Sequence, residues 1–424
     1  MFNIIVSFVN DNQHINNLRS VSRRINSVVM SNNMHRLNIF RLFLYYEDKT
    51  CVKIMKRFRY FFVTCKMCLD KIMKHIDCND GMHGYIRITF GFAYNDSIDN
   101  LHPNVNHLEF GGMFNQSVDN LPKNVTILKF GYYFNKRIDN LPNKVTKIRL
   151  GLSFDNPIDN LPQSLKVLHL SNNFNKPIDK LPPCLEKLTL GTNFCQSINK
   201  LPNSLIYLKL NNICDDVEKL PDNLTHLIVR KIHNNAQIKY FPDSLIHLEF
   251  TEGFNSEIMN YPKALRCIKF GYHYNRSIDN LPDYVTHITL GVMYDKKIHR
   301  LPKELRYMCM FGCMYAYDID FSLYGSLDKL IWIIFGNNFN REIKNYPKNV
   351  RCITFGDCYN QSIDNLPDSV RYLKLGYHFN KRVSKVPKKI KKIVMSQNIN
   401  MNIVNFDTAV FMNFDNYQNH VLYF

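Results

Sequence analysis

The sequence predicts a repeat solenoid, mainly β, with one short parallel strand per coil of about 20 residues and a small α-helical module ahead of it. Three observations carry that prediction. Proline recurs at Pro122, Pro142, Pro162, Pro182 and Pro202, slips to Pro221, returns at Pro242, Pro262, Pro282 and Pro302, and reappears at Pro347, Pro367 and Pro387. An aromatic residue keeps the same step at Phe114, Phe134, Phe154, Phe174 and Phe194, then Phe254, Tyr274, Tyr294, Phe339, Tyr359 and Phe379. Between them runs a short alternating segment such as Val145-x-x-Ile148-x-Leu150, which is the pattern of a half-buried strand.

Each position of the repeat has a physical reading. Ile148 and Leu150 point to one face, Lys147 and Arg149 to the other. Glycine follows the strand at Gly131, Gly151, Gly191, Gly271, Gly291 and Gly376, where the chain must bend sharply. The asparagine after the aromatic (Asn115, Asn135, Asn175, Asn255, Asn275, Asn340, Asn360, Asn380) is placed to bond to the coils above and below, satisfying backbone groups buried between them. Ile138, Ile158, Ile178, Ile278 and Ile363 fill the opposite wall, and Leu-Pro turns the chain back toward the next strand. The recurring aspartate (Asp99, Asp119, Asp139, Asp159, Asp179, Asp279, Asp364) reads as a turn residue, not as an acid–base group. A single coil buries too little to offset its own ordering, so stability must come from stacking.

The skeleton resembles a leucine-rich repeat, which Leu165-x-x-Leu168-x-Leu170-x-x-Asn173 fits directly. It is more similar still to the FNIP repeat, a leucine-rich-repeat-like family found mostly in amoebae and in the large viruses that infect them, through Phe134-Asn135-x-x-Ile138-Asp139-Asn140-Leu141-Pro142 and its copies. That resemblance covers about 85–394 and implies an interaction array without prescribing an activity. Two places depart from register: Ile213-Cys214 stands where Phe-Asn is expected, and 311–335 carries about five extra residues together with Trp332. The second reads either as a bulged coil or as a functional loop.

Residues 1–31 do not repeat. Val6-Ser7-Phe8-Val9 precedes a polar break, and Ile15, Leu18, Val21, Ile25 and Val28 then fall on one helical face. The pattern, with Val21-Ser22-Arg23-Arg24-Ile25, resembles an F-box, the helical module that docks on the Skp-type adaptor of cullin-RING ubiquitin ligases. The resemblance implies adaptor contacts at Ile5, Phe8, Val9, Ile15, Leu18 and Val21. The family's usual opening, a Leu-Pro and an acidic residue, would fall before Met1. The competing reading is an amphipathic helix that caps the first coil. Residues 32–84 read as a basic helical region and linker, and 395–424 as an apolar cap. Cys65-x-x-Cys68 with His75 and Cys78 has some likeness to a zinc site, but no second pair follows and the thiols suit a buried helix face, so no metal or cofactor is expected.

Charge and cysteine usage bound the partners. The chain has 424 residues and a formal net charge of +18, which favours an acidic protein, nucleic acid or an anionic surface. No apolar run approaches the roughly 18 residues of a membrane span. The N-terminal stretch lacks the basic start of a signal peptide, so the twelve cysteines are expected as reduced thiols, and the sequons at Asn115 and Asn275 as accidental, in a cytoplasmic protein (host cytoplasm, if viral) that is not secreted. No motif for nucleophilic, phosphate-binding or metal-dependent catalysis occurs, and a non-enzyme is expected.

The open side of the strands is then the expected partner-binding face. Its candidates are Lys147, Arg149, Lys187, Tyr207, Lys209, His226, His247, Lys269, His287, Tyr307, Tyr372 and Lys374. The leading function is a substrate-recognition adaptor of a Skp/F-box-type ubiquitin ligase, holding an acidic protein on that face. The alternatives are a scaffold with no ubiquitin link and a basic nucleic-acid-binding solenoid, the latter resting on charge alone.

Overall fold

The computed structural model describes residues 60–75, 85–233, 236–312, 319–395 and 410–413. Within them the chain winds as a parallel β-solenoid. Eighteen strands form one sheet, and every pairing in it is parallel. In chain order they are β1 (Tyr60–Val63), β2 (Ile86–Phe90), β3 (Val105–Glu109), β4 (Ile127–Lys129), β5 (Lys147–Arg149), β6 (Val167–His169), β7 (Lys187–Thr189), β8 (Tyr207–Ile213), β9 (His226–Ile232), β10 (His247–Phe250), β11 (Cys267–Lys269), β12 (His287–Leu290), β13 (Tyr307–Met310), β15 (Trp332–Phe335), β17 (Cys352–Thr354), β18 (Tyr372–Lys374), β19 (Lys392–Met395) and β20 (Val410–Asn413). Two short strands, β14 (Ile319–Asp320) and β16 (Ile343–Lys344), pair separately. One helix, α1 (Lys66–His75), follows β1.

The sheet starts earlier than the repeat pattern suggests. Tyr60–Val63 lies in a segment expected to be helical, yet it pairs along its length with β2. Its aromatic and β-branched residues favour a strand, and Phe61 and Val63 bury against the first coil. The described helix of that segment is α1, whose Leu69 and Ile72 are buried. The F-box-like stretch, and with it Ile5, Phe8, Val9, Ile15, Leu18 and Val21, lies outside the described residues.

Identical positions stack on one another, and the core is a set of columns. Phe114, Phe134, Phe154, Phe174 and Phe194 form a continuous ring stack, with centroids 6.1–6.3 Å apart along it. Tyr274, Tyr294 and Tyr359 hold the same place in later coils and are also fully buried. Leu128, Ile148, Leu168 and Leu188 make the strand column, and Ile138, Ile158 and Ile178 the opposite wall. The glycine after the strand is needed because the coils approach closely there: a Cβ on Gly131 would lie 1.9 Å from the carbonyl oxygen of Gly111. Ser171 stands at that position in its own coil, where its hydroxyl donates to Phe154 O at 2.5 Å and accepts from the Phe174 N–H at 2.9 Å.

The rim is an asparagine ladder. Asn115 N–H donates to Asn95 Oδ1 (2.8 Å), Asn135 to Asn115 (2.9 Å), Asp155 to Asn135 (3.0 Å), Asn175 to Asp155 (3.0 Å) and Cys195 to Asn175 (2.9 Å). The predicted bonds between coils are therefore present, although they run along an exposed edge and not through a buried layer. The aspartates do the same on the next turn: Asp279 Oδ1 accepts from the backbone N–H groups of His299 and Arg300, and Asp364 Oδ1 from those of Ser384 and Lys385.

One expectation is corrected at the first departure from register. Cys195 and Cys214 form a disulfide with their Cα atoms 5.4 Å apart. Both stand where the ladder has asparagine, so neighbouring coils bring the two thiols together. Cysteine usage therefore does not mean reduced thiols throughout. The second departure is a wider coil. The 3-10 turn Phe321–Tyr324, capped by Asp320 accepting from the Ser322 N–H, takes up most of the extra length, and Phe321, Leu327 and Leu330 rejoin the core.

Candidate interaction face

Strand register builds the open face. With core residues at every second position, the side chains between them project away from the core in two columns. The first runs His107, Ile127, Lys147, Val167, Lys187, Tyr207, His226, His247, Cys267, His287, Tyr307, Trp332, Cys352, Tyr372, Lys392. The second includes Glu109, Lys129, Arg149, His169, Thr189, Lys209, Ile228, Glu249, Lys269, Thr289, Cys309, Ile334, Thr354 and Lys374. All twelve predicted face residues fall in these columns.

Tyr60, Arg87 and Trp332 of the first column were missed in sequence. Trp332 sits beside Tyr307, because the wider coil delays its strand by five residues. The signal was present in Ile333-Ile334-Phe335-Gly336 followed by Phe339-Asn340, which marks the strand as clearly as in any other coil. Arg87 pairs with His107 one coil before the pattern becomes regular.

The face has two halves of different chemistry. From β4 to β8 it is basic. Lys147, Arg149, Lys187 and Lys209 have no carboxylate within ion-pair distance among the described residues, whereas Lys129 is bound with Arg87 to Glu109 at the margin. The field is felt by His169, which burial, and then Arg149, Lys147 and Lys209, hold below the ordinary imidazole range. From β8 to β15 the first column becomes a row of rings interrupted at Cys267. Tyr207 lies 6.4 Å from His226, His226 stacks on His247 at 5.7 Å, His287 on Tyr307 at 5.7 Å, and Tyr307 meets Trp332 at 5.9 Å. Glu249 anchors this half, 2.7 Å from Lys269 Nζ and 3.7 Å from His247 Nε2. Farther on, Lys392 lies over the Tyr372 ring at 5.9 Å, and Lys374 lies beside it in the second column.

Among the described residues no group of three or more His, Cys, Asp or Glu side chains is arranged to hold a metal ion. Cys65 and Cys68 lie 3.2 Å apart, sulfur to sulfur, at the start of α1, and Cys68 is buried. No helix among the described residues is long and apolar enough to cross a membrane.

Residues 114–153, 339–378 and 359–398 match the family described as FNIP Repeat. Those three stretches are FNIP repeats. Among solved structures, the FNIP array is similar to CroV588, described as a novel circular LRR protein, at 28% identity and a TM-score of 0.59, over 77% of this chain and 59% of that one. The chain thus spans about three fifths of that structure's length. It also aligns with YopM from Yersinia enterocolitica WA-314 at 16% identity and a TM-score of 0.37, over 80% of this chain and 91% of that one. No curated protein matches. The match to CroV588 agrees with the fold read from the coils: a leucine-rich-repeat type of scaffold.

Proposed function

We propose that the FNIP array is a non-catalytic recognition scaffold that holds an acidic protein on its open β-face, and that residues 1–31 link it to a Skp-type adaptor of a cullin-RING ubiquitin ligase. The observation that carries the binding half is the unneutralised row Lys147, Arg149, Lys187 and Lys209. Four cations are held at fixed spacing by a rigid sheet, next to a run of half-buried rings. Tyrosine, tryptophan and arginine are enriched among the residues that carry interface energy, and the lysines add a field that favours an acidic partner. A long repetitive surface suits a macromolecular partner.

The ubiquitin link is supported by the F-box-like spacing of Ile5, Phe8, Val9, Ile15, Leu18 and Val21, and places the work of the protein in the cytoplasm. Pull-down of a Skp-type adaptor by the full chain tests it. Wild type should retain the adaptor and a Leu18→Asp/Val21→Asp variant should lose it. Equal recovery by both would leave the scaffold without its ligase connection.

A further inference from the structure

Cys267 occupies the middle of the first column, and its two neighbours in register are both histidines, His247 on β10 and His287 on β12. Its side chain is partly exposed. The surrounding charges are Glu249, which holds His247, and Lys269, which is bound to Glu249. Thr286 Oγ1 lies 2.9 Å from His287 Nδ1 and fixes that ring. Cys352 provides a contrast within the same molecule. It stands in the same column with similar exposure, but its neighbours in register are Trp332 and Tyr372, which carry no titratable nitrogen.

We propose that Cys267 is a reactive thiol, a modification site on the open face that peroxides oxidise and soft electrophiles alkylate in preference to Cys352. The arrangement supplies what such a thiol needs: an imidazole on each side, a carboxylate to hold one of them, and access from solvent. Burial opposes ionisation of Cys267, but the imidazoles of His247 and His287 outweigh it and bring the thiol down to about 6, while His247 rises to about 9. At Cys352 burial dominates and the thiol is raised. In the oxidation, the Cys267 thiolate attacks one oxygen of hydrogen peroxide and an S–O bond forms as the O–O bond breaks. The sulfur is oxidised by two electrons to the sulfenic acid, and the departing hydroxide takes the His247 imidazolium proton and leaves as water.

The preference follows from two opposed effects. Near neutral pH the thiolate fraction favours Cys267. The weaker nucleophilicity of a less basic thiolate takes back part of that lead. The test is limited alkylation of the full chain with iodoacetamide at about pH 7, followed by peptide mass spectrometry, with a parallel sample treated with hydrogen peroxide and dimedone. Cys267 should label several-fold faster than Cys352 and carry the dimedone adduct. His247→Asn/His287→Asn should erase that lead while leaving the Cys352 rate unchanged. Equal wild-type rates for the two cysteines would overturn the proposal, and so would a folded double variant that keeps the lead. The wild-type comparison decides the matter whether or not the variant folds.

Discussion

Phe134 stacks on Phe154 with ring centroids 6.2 Å apart and planes 6° from parallel, and neither ring is exposed. Each ring is one member of a column that no coil completes by itself. Phe154→Ala should therefore cost about 3–5 kcal/mol, read as a shift in the urea midpoint, and should loosen the coils on both sides in hydrogen exchange. Phe154→Tyr should be much milder, because Tyr274, Tyr294 and Tyr359 already fill the equivalent place.

The rim ladder gives a smaller and more selective effect. Asn135 accepts from the Asp155 N–H, and Asn135→Ala leaves that exposed donor to water, so about 1 kcal/mol should be lost in equilibrium unfolding. Asn135→Asp should retain most of the stability, since Asp155 itself accepts from Asn175 in the next coil.

Two histidines of one column should differ in how they couple stability to pH. Burial, and then Arg87, hold His107 at about 4 against an ordinary 6.5, so the unfolded chain binds the proton more readily. Stability should fall with decreasing pH from about 6.5 through 4, and His107→Asn should flatten that limb. Cys267 and then Glu249 raise His247 to about 9, but the same contact brings Cys267 down to about 6, so between those values the pair holds one proton in the folded and in the unfolded chain alike and adds no net slope. Denaturant midpoints measured across the range check both.

The disulfide substitutes for one rung of the ladder. Cys214→Ser should lower stability by about 2–4 kcal/mol under oxidising conditions and by much less in excess reductant. Equal loss in both would mean that the cysteine acts only through packing.

How much of this was legible in the sequence varied with how local each signal was. The Phe, Ile and Leu-Pro columns were readable because each coil repeats the same burial, and the twelve face residues followed from alternation within the strand. Trp332 escaped because a wider coil displaced it from the proline count, although its strand kept the apolar pattern. Cys195 and Cys214 looked unrelated until the slipped coil, one residue short between Pro202 and Pro221, was seen to place both on the asparagine rung. Tyr60–Val63 had no repeat before it, and its pairing with β2 is a tertiary contact that composition does not announce.

The account rests most heavily on binding through the open face, and charge reversal measures that directly. Lys147→Glu/Arg149→Glu/Lys187→Glu/Lys209→Glu should be compared with a variant carrying the same charge change on lysines away from the face, Lys144, Lys180, Lys200 and Lys263, by quantitative cross-linking of the partner recovered with wild type. Loss confined to the first variant, together with unchanged unfolding midpoints for both, is the predicted result. Equal recovery by the two variants, or equal loss, would contradict it.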